Sequence, residues 1–93
     1  MRESLDEPVS VLFYYDAKKN QLKPHALKWN GRDFRLGPID FHHITKKGAR
    51  TIHHFSMTDV DESAYFKIAL DTSDLRWSIE EYMYGGDASV HYA

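Results

Sequence analysis

The sequence predicts an all-β fold: an antiparallel meander of about seven short strands, forming a small closed or partly open barrel or roll. Three observations carry this. Asn30-Gly31 separates two alternating runs and supplies the residue pair that a two-residue type I′ turn requires. Apolar and aromatic residues recur at every second position in short runs, and helix formers never recur at helical spacing over a long window. Turn-forming clusters interrupt those runs at hairpin intervals.

Residues 1–8 are polar and acidic and end in Pro8, the pattern of a flexible N-terminal tail. A first strand is expected over 9–15. Val9, Val11, Phe13 and Tyr15 share one of its faces and Leu12 and Tyr14 the other, so it is covered on two sides or curls. A loop over 16–21 places Asn20 in the left-handed region. The second strand covers 22–29, and Pro24 confines its start to an edge or a bulge. The Asn30-Gly31 turn then sets Trp29 opposite Arg32, Lys28 opposite Asp33, Leu27 opposite Phe34, Ala26 opposite Arg35 and His25 opposite Leu36. Leu27, Trp29, Phe34 and Leu36 fall on one face, and a slip of one residue would mix the two sets. Gly37-Pro38 is expected to break this third strand, 32–36.

The next pair covers 40–45 and 51–57. A turn centred on Gly48 would set Thr45 opposite Thr51, His43 opposite His53 and His42 opposite His54. An acidic loop follows over 58–63. The last hairpin joins 64–71 to 76–83, with Asp71 opposite Arg76, Lys67 opposite Glu80, Leu70 opposite Trp77 and Ile68 opposite Ile79. A short helix over 73–84 is the alternative there, since Glu80-Glu81-Tyr82-Met83 has no β bias. Gly85-Gly86 ends the pattern and leaves 85–93 as a flexible C-terminal tail. The domain thus covers 9–84 as a single unit.

Without cysteine the chain has neither a disulfide framework nor a thiolate metal site. The first residues contain no apolar stretch of signal-peptide length, and the longest apolar run, 11–15, is far too short to cross a bilayer. A cytoplasmic protein with no membrane contact is expected. The net charge of −2 is unevenly spread: residues 17–50 hold nine Lys or Arg against two acids, a balance of +7. Such asymmetry marks either a basic binding surface or basic strands paired with acidic ones.

Residues 26–84 resemble a family of small uncharacterised bacterial β domains. The resemblance rests on Leu27-Lys28-Trp29-Asn30-Gly31-Arg32-Asp33-Phe34, on Phe55-Ser56-Met57-Thr58, on Tyr65-Phe66-Lys67-Ile68, and on Leu75-Arg76-Trp77-Ser78-Ile79-Glu80-Glu81. That family pairs a Trp-x-Gly-x-x-aromatic hairpin with a later aromatic strand and a Trp-containing hairpin. It implies a stand-alone β domain, sometimes found alongside proteins of damage-tolerant DNA synthesis. The shared motifs are structural and carry no catalytic residues.

The histidine dipeptides, His42-His43 and His53-His54, are the strongest chemical signal. Adjacent residues of a strand point to opposite faces, so each dipeptide gives one imidazole per face. His43 and His53 are the candidate metal pair, with Asp40 or Asp61 as the third ligand. No third ligand lies at close spacing, so no metal and no cofactor is expected. Asp59, Asp61 and Glu62 lack a calcium-loop pattern. A G-x-S-x-G elbow is absent, so no catalytic residues are assigned and an enzyme is not expected. The basic loop residues Lys18, Lys19, Lys46, Lys47 and Arg50 are the candidate nucleic-acid contacts, because loop charges have no cross-strand partner to neutralise them. Surplus aromatics such as Tyr14, Tyr15 and Trp29 suit single-strand stacking or a protein interface. The reading is a non-catalytic binding or adaptor module for a protein partner or a second copy. Single-stranded nucleic acid and histidine-bound metal stand as alternatives.

Overall fold

The computed structural model describes residues 3–84, with side chains from Asp6 onward. The expected tail over 85–93 lies outside the described residues. Seven strands follow one another: β1 (Glu3–Pro8), β2 (Ser10–Asp16), β3 (Gln21–Trp29), β4 (Arg32–Lys47), β5 (Arg50–Asp59), β6 (Ala64–Asp71) and β7 (Arg76–Tyr84). All neighbouring pairs are antiparallel, in the order β1-β7-β6-β5-β4-β3-β2, and the sheet curls into a half-barrel. Among the described residues there is no helix, hence none long and apolar enough to cross a membrane. The stretch over 73–84, where a helix was the alternative, holds a turn and β7.

The N-terminal segment departs from its expected form. Within the expected tail, Glu3–Pro8 form β1, which pairs with β7, with Pro8 opposite Ser78. Two residues later Ser10 of β2 lies opposite Lys28 of β3. One continuous segment therefore occupies both edges of the curled sheet. Between them the Val9 N–H donates to the Trp77 carbonyl at 3.1 Å. The Trp29 indole N–H reaches Glu7 Oε1 at 2.7 Å, which ties β1 across the core. Sequence alternation missed this strand because its partner is remote and its residues are polar.

The β3–β4 hairpin has the turn that its residues require. Asn30 and Gly31 carry φ of 55° and 75°, and the pairs run from Trp29 with Arg32 to Ala26 with Arg35. Pairing stops there, so His25 and Leu36 are not partners. Leu27, Trp29, Phe34 and Leu36 are all buried on one face. Beyond Leu36 the strand does not break at Gly37-Pro38. β4 continues to Lys47 through two bulges, between Leu36 and Ile39 and between Ile39 and Phe41. Bulges absorb Gly and Pro that a regular ladder would reject. Gly37 is needed for a close approach: a Cβ there would stand 3.1 Å from the Thr58 carbonyl oxygen.

Phe55, Met57, Phe66, Ile68, Leu70 and Ile79 lie fully buried on the concave side. Each such side chain stabilises the fold by about 1.5–3 kcal/mol. Phe34 meets Phe66 at 4.9 Å and Trp29 meets Tyr82 at 4.6 Å, both edge to face, the favoured aromatic geometry. Asp59, the first acid of the 58–63 loop, is buried rather than solvated. It accepts from the backbone N–H groups of Ser63 at 2.7 Å and Ala64 at 3.1 Å, and so caps the turn into β6.

The β6–β7 hairpin keeps Asp71 opposite Arg76, Leu70 opposite Trp77 and Ile68 opposite Ile79. A bulge then intervenes, and Lys67 faces Glu81 instead of the expected Glu80. The inserted residue is Glu80, which keeps to the outer face of the sheet and is joined there by Glu81.

Candidate functional site

The distal part of the β4–β5 hairpin forms the site. β4 contacts β3 only up to Arg35, and from Ile39 to Lys47 it pairs with β5 alone. Among the described residues its other edge over that stretch has no strand neighbour. Every residue from 40 to 50 is exposed except His43. Phe41 and Ile44 are 57% and 51% exposed, on opposite faces of this edge. The strand is long because its turn is tight. Lys47 pairs with Arg50 across Gly48-Ala49, and Gly48 alone has positive φ, 60°, as a type II′ turn demands at its first central position.

That turn corrects the histidine register by one residue. His43 pairs with His54, and His53 pairs with Ile44, so His43 and His53 do not form a couple. On the outer face the His43 and His54 rings stack at 4.5 Å with planes 6° apart, and Phe41 lies 5.2 Å from His43. His54 is held at both nitrogens. Nδ1 lies 2.9 Å from Glu80 Oε1, and Nε2 lies 2.8 Å from Thr45 Oγ1. An ionised carboxylate only accepts, so Nδ1 carries the proton, and the neutral ring then accepts from the Thr45 hydroxyl at Nε2. This hydroxyl–imidazole–carboxylate chain fixes one tautomer and one ring orientation. It borders an open groove of about 600 Å³ whose lining mixes signs: Lys67 and Arg50 against Asp71, Glu80 and Glu81. His43 Nδ1 is buried without a hydrogen-bond partner.

On the inner face His42 Nε2 lies 2.9 Å from His53 Nδ1, and the His42 ring stacks on Phe55 at 4.4 Å. Burial first, and then the imidazoles of His53 and His43, hold His42 below its ordinary value. His53 is lowered by burial and then by His54. Among the described residues no three His, Asp or Glu converge in a metal-holding group. Asp40 and Asp61, the expected third ligands, belong to separate segments, β4 and the β5–β6 turn.

The basic residues divide. The turns carrying Lys18 and Lys19, and Lys46, Lys47 and Arg50, lie at the same end of the meander, since they join β2 to β3 and β4 to β5. Lys46 and Lys47 are exposed and form no ion pair among the described residues. Arg50 is engaged: its guanidinium bonds to Asp71 through Nε at 2.9 Å and through Nη2. That bond and two from Ser73 hold the Asp71 carboxyl at about 2. Lys18 and Lys19 sit in a turn fixed by Asp16, whose Oδ1 accepts from both backbone N–H groups.

Sequence reasoning missed the open edge, Phe41 and Ile44 on it, and Glu80. Nothing in the residues 36–47 signals the edge, because it is set by where β3 and β4 part. For Glu80 the register gave the face but not its contact with His54, which lies two strands away across β6. Comparison with protein-family models, with curated proteins and with solved structures finds no match for this chain. What fold and site define together is a small curled β-sheet domain whose longest hairpin offers a strand edge unpaired among the described residues.

Proposed function

We propose that the protein is a non-catalytic binding module that receives an extended segment of a protein partner along the free edge of β4. One observation carries this reading: among the described residues the edge over 39–47 has no strand neighbour, while Phe41 and Ile44 stand exposed on its two faces. An added strand satisfies the edge N–H and C=O groups, and alternate side chains of the partner meet Phe41 on one face and Ile44 on the other. Exposed edges are otherwise a liability that proteins blunt with charge. Here Lys46 and Lys47 guard only the tip.

The test is selection of extended peptides from a random library, followed by hydrogen exchange on the complex. The expected result is added protection of β4 amides between Asp40 and Lys46, and loss of binding in Phe41→Asp with Ile44→Asp. Peptides that protect other strands and tolerate both substitutions would sink the reading.

A second reading is favoured by the shared end of the two basic turns. Lys18, Lys19, Lys46 and Lys47 there would contact phosphates, with Tyr14 and Tyr15, both half exposed, adding stacking. Asp16, Asp71 and Asp74 at the same end oppose it. The reading requires titration with single-stranded DNA to give binding that falls with salt and with Lys46→Glu plus Lys47→Glu.

A further inference from the structure

We infer that the segment received by the β4 edge is the same edge of a second copy of this chain, paired antiparallel about a twofold axis through His43. This rests on the strand-addition reading and names its partner.

A twofold axis perpendicular to a sheet pairs a strand with itself antiparallel, and opposed residues then share a face. Such a register must centre on one residue. Centring on His43 makes the partners of residues 40, 41, 42 and 43 residues 46, 45, 44 and 43 of the second copy. Three properties of the edge agree with that centre. Asp40, which the bulge between Ile39 and Phe41 leaves out of the β5 ladder, ends the paired stretch of each copy beside the second copy's Lys46 and Lys47, and symmetry makes this charge pairing twice. Asp40 is the one acid between Leu36 and Lys47, and Lys46 and Lys47 are its cations, so acid and base lie at opposite ends of the same edge. Ile44 comes opposite the second copy's His42, whose ring rests on Phe55, which extends apolar contact from the buried inner face. Phe41 comes opposite the second copy's Thr45, whose hydroxyl is already turned to His54, leaving its methyl for the ring.

Centring one residue-pair earlier, on His42, would bring Asp40 opposite Ile44 and leave Lys46 and Lys47 beside the bend at Gly37-Pro38. Centring on Ile44 would set Asp40 beyond the second copy's Lys47, at the turn. The His43 register alone matches the charged ends within the exposed stretch. The lysines that guard the edge against other strands thus become the contacts that select this one, as charge pairing does in specific interfaces.

Two charge variants of the full chain test the register. Asp40→Lys makes the edge wholly cationic, and Lys46→Asp with Lys47→Asp makes it wholly anionic. All three positions are exposed, and circular dichroism checks that both variants fold. Sedimentation equilibrium should find the wild type dimeric and each variant with a dimer dissociation constant raised by at least about tenfold, since attraction becomes repulsion at two symmetric places. An equimolar mixture of the two variants should recover a heterodimer of wild-type affinity. A wild type that stays monomeric overturns the inference, yet peptide protection of β4 amides would still stand and keep the strand-addition reading. A dimer indifferent to both charge variants also overturns it, by placing the contact elsewhere.

Discussion

His43 and His54 face each other across β4 and β5 as parallel rings 4.5 Å apart, and only His54 is anchored by hydrogen bonds at both nitrogens. The anchors come from different strands, Thr45 on β4 and Glu80 on β7. β4, which over this stretch reaches the rest of the sheet through β5, is thereby also linked by one imidazole to β7, and His43 takes its place by stacking on it.

If Glu80 sets the tautomer, nitrogen-15 NMR should find neutral His54 protonated at Nδ1. Glu80→Ala should shift the population toward the Nε2–H form that free imidazole favours, while Thr45→Val should leave it at Nδ1. A His54 already protonated at Nε2 in the wild type would contradict the assigned bonds.

The inner pair predicts acid sensitivity. His42 and His53 are lowered in the folded state, so the unfolded chain takes up these protons first. The stability they contribute is full above about pH 6.5 and is lost as pH falls through the lowered native values. Urea unfolding should give a folding free energy that declines from about pH 7.5 to about pH 5. His42→Phe combined with His53→Phe should flatten the decline. An unchanged slope in that variant would locate the acid sensitivity elsewhere.

Gly31 at φ 75° occupies the left-handed region. Gly31→Val should destabilise by more than about 1 kcal/mol, and Gly31→Asn by much less, because Asn tolerates that region. Thermal melting of the two variants decides this, and equal melting temperatures would refute it.

Gly37→Ala should also destabilise, by about 1 kcal/mol, for a different reason. Its φ is ordinary, but the added methyl group would stand 3.1 Å from a backbone oxygen that cannot rotate away. Separation of β4 from the end of β5 should follow, read as faster exchange of the Val60 amide, which donates to the Arg35 carbonyl. A melting temperature equal to that of the wild type would mean that the bend yields.

How much of this was legible depended on how local each determinant is. Asn30-Gly31 has one low-energy turn, so the β3–β4 register followed from two residues. Gly48 suits both a longer loop and a two-residue type II′ turn, and the difference of one residue exchanged the partners of all four histidines. Gly37-Pro38 read as a stop because isolated Gly and Pro usually punctuate strands, whereas two bulges carry β4 past them. Neither the place of β1 nor the contact of Glu80 with His54 was legible: the first is set by a partner remote in sequence, the second by a residue two strands away in the sheet. The open edge exists because β3 and β4 part after Arg35, and no residue between 36 and 47 announces that separation.

The seating of β1 on β7 bears on how the sheet assembles. Glu3 meets Tyr82, so the earliest strand of the chain pairs with the latest one described. During synthesis β2, β3 and β4 can find each other in turn, while β1 waits with its ladder groups unmatched until β7 has been made. Closing that last seam requires a large loop to be pinned, which places the slow step of folding there and gives kinetics nearer to milliseconds or seconds than to microseconds. Until the seam closes, two strand edges of a hydrophobic sheet stand open at once, and the nascent chain is at its most vulnerable to pairing with the wrong neighbour.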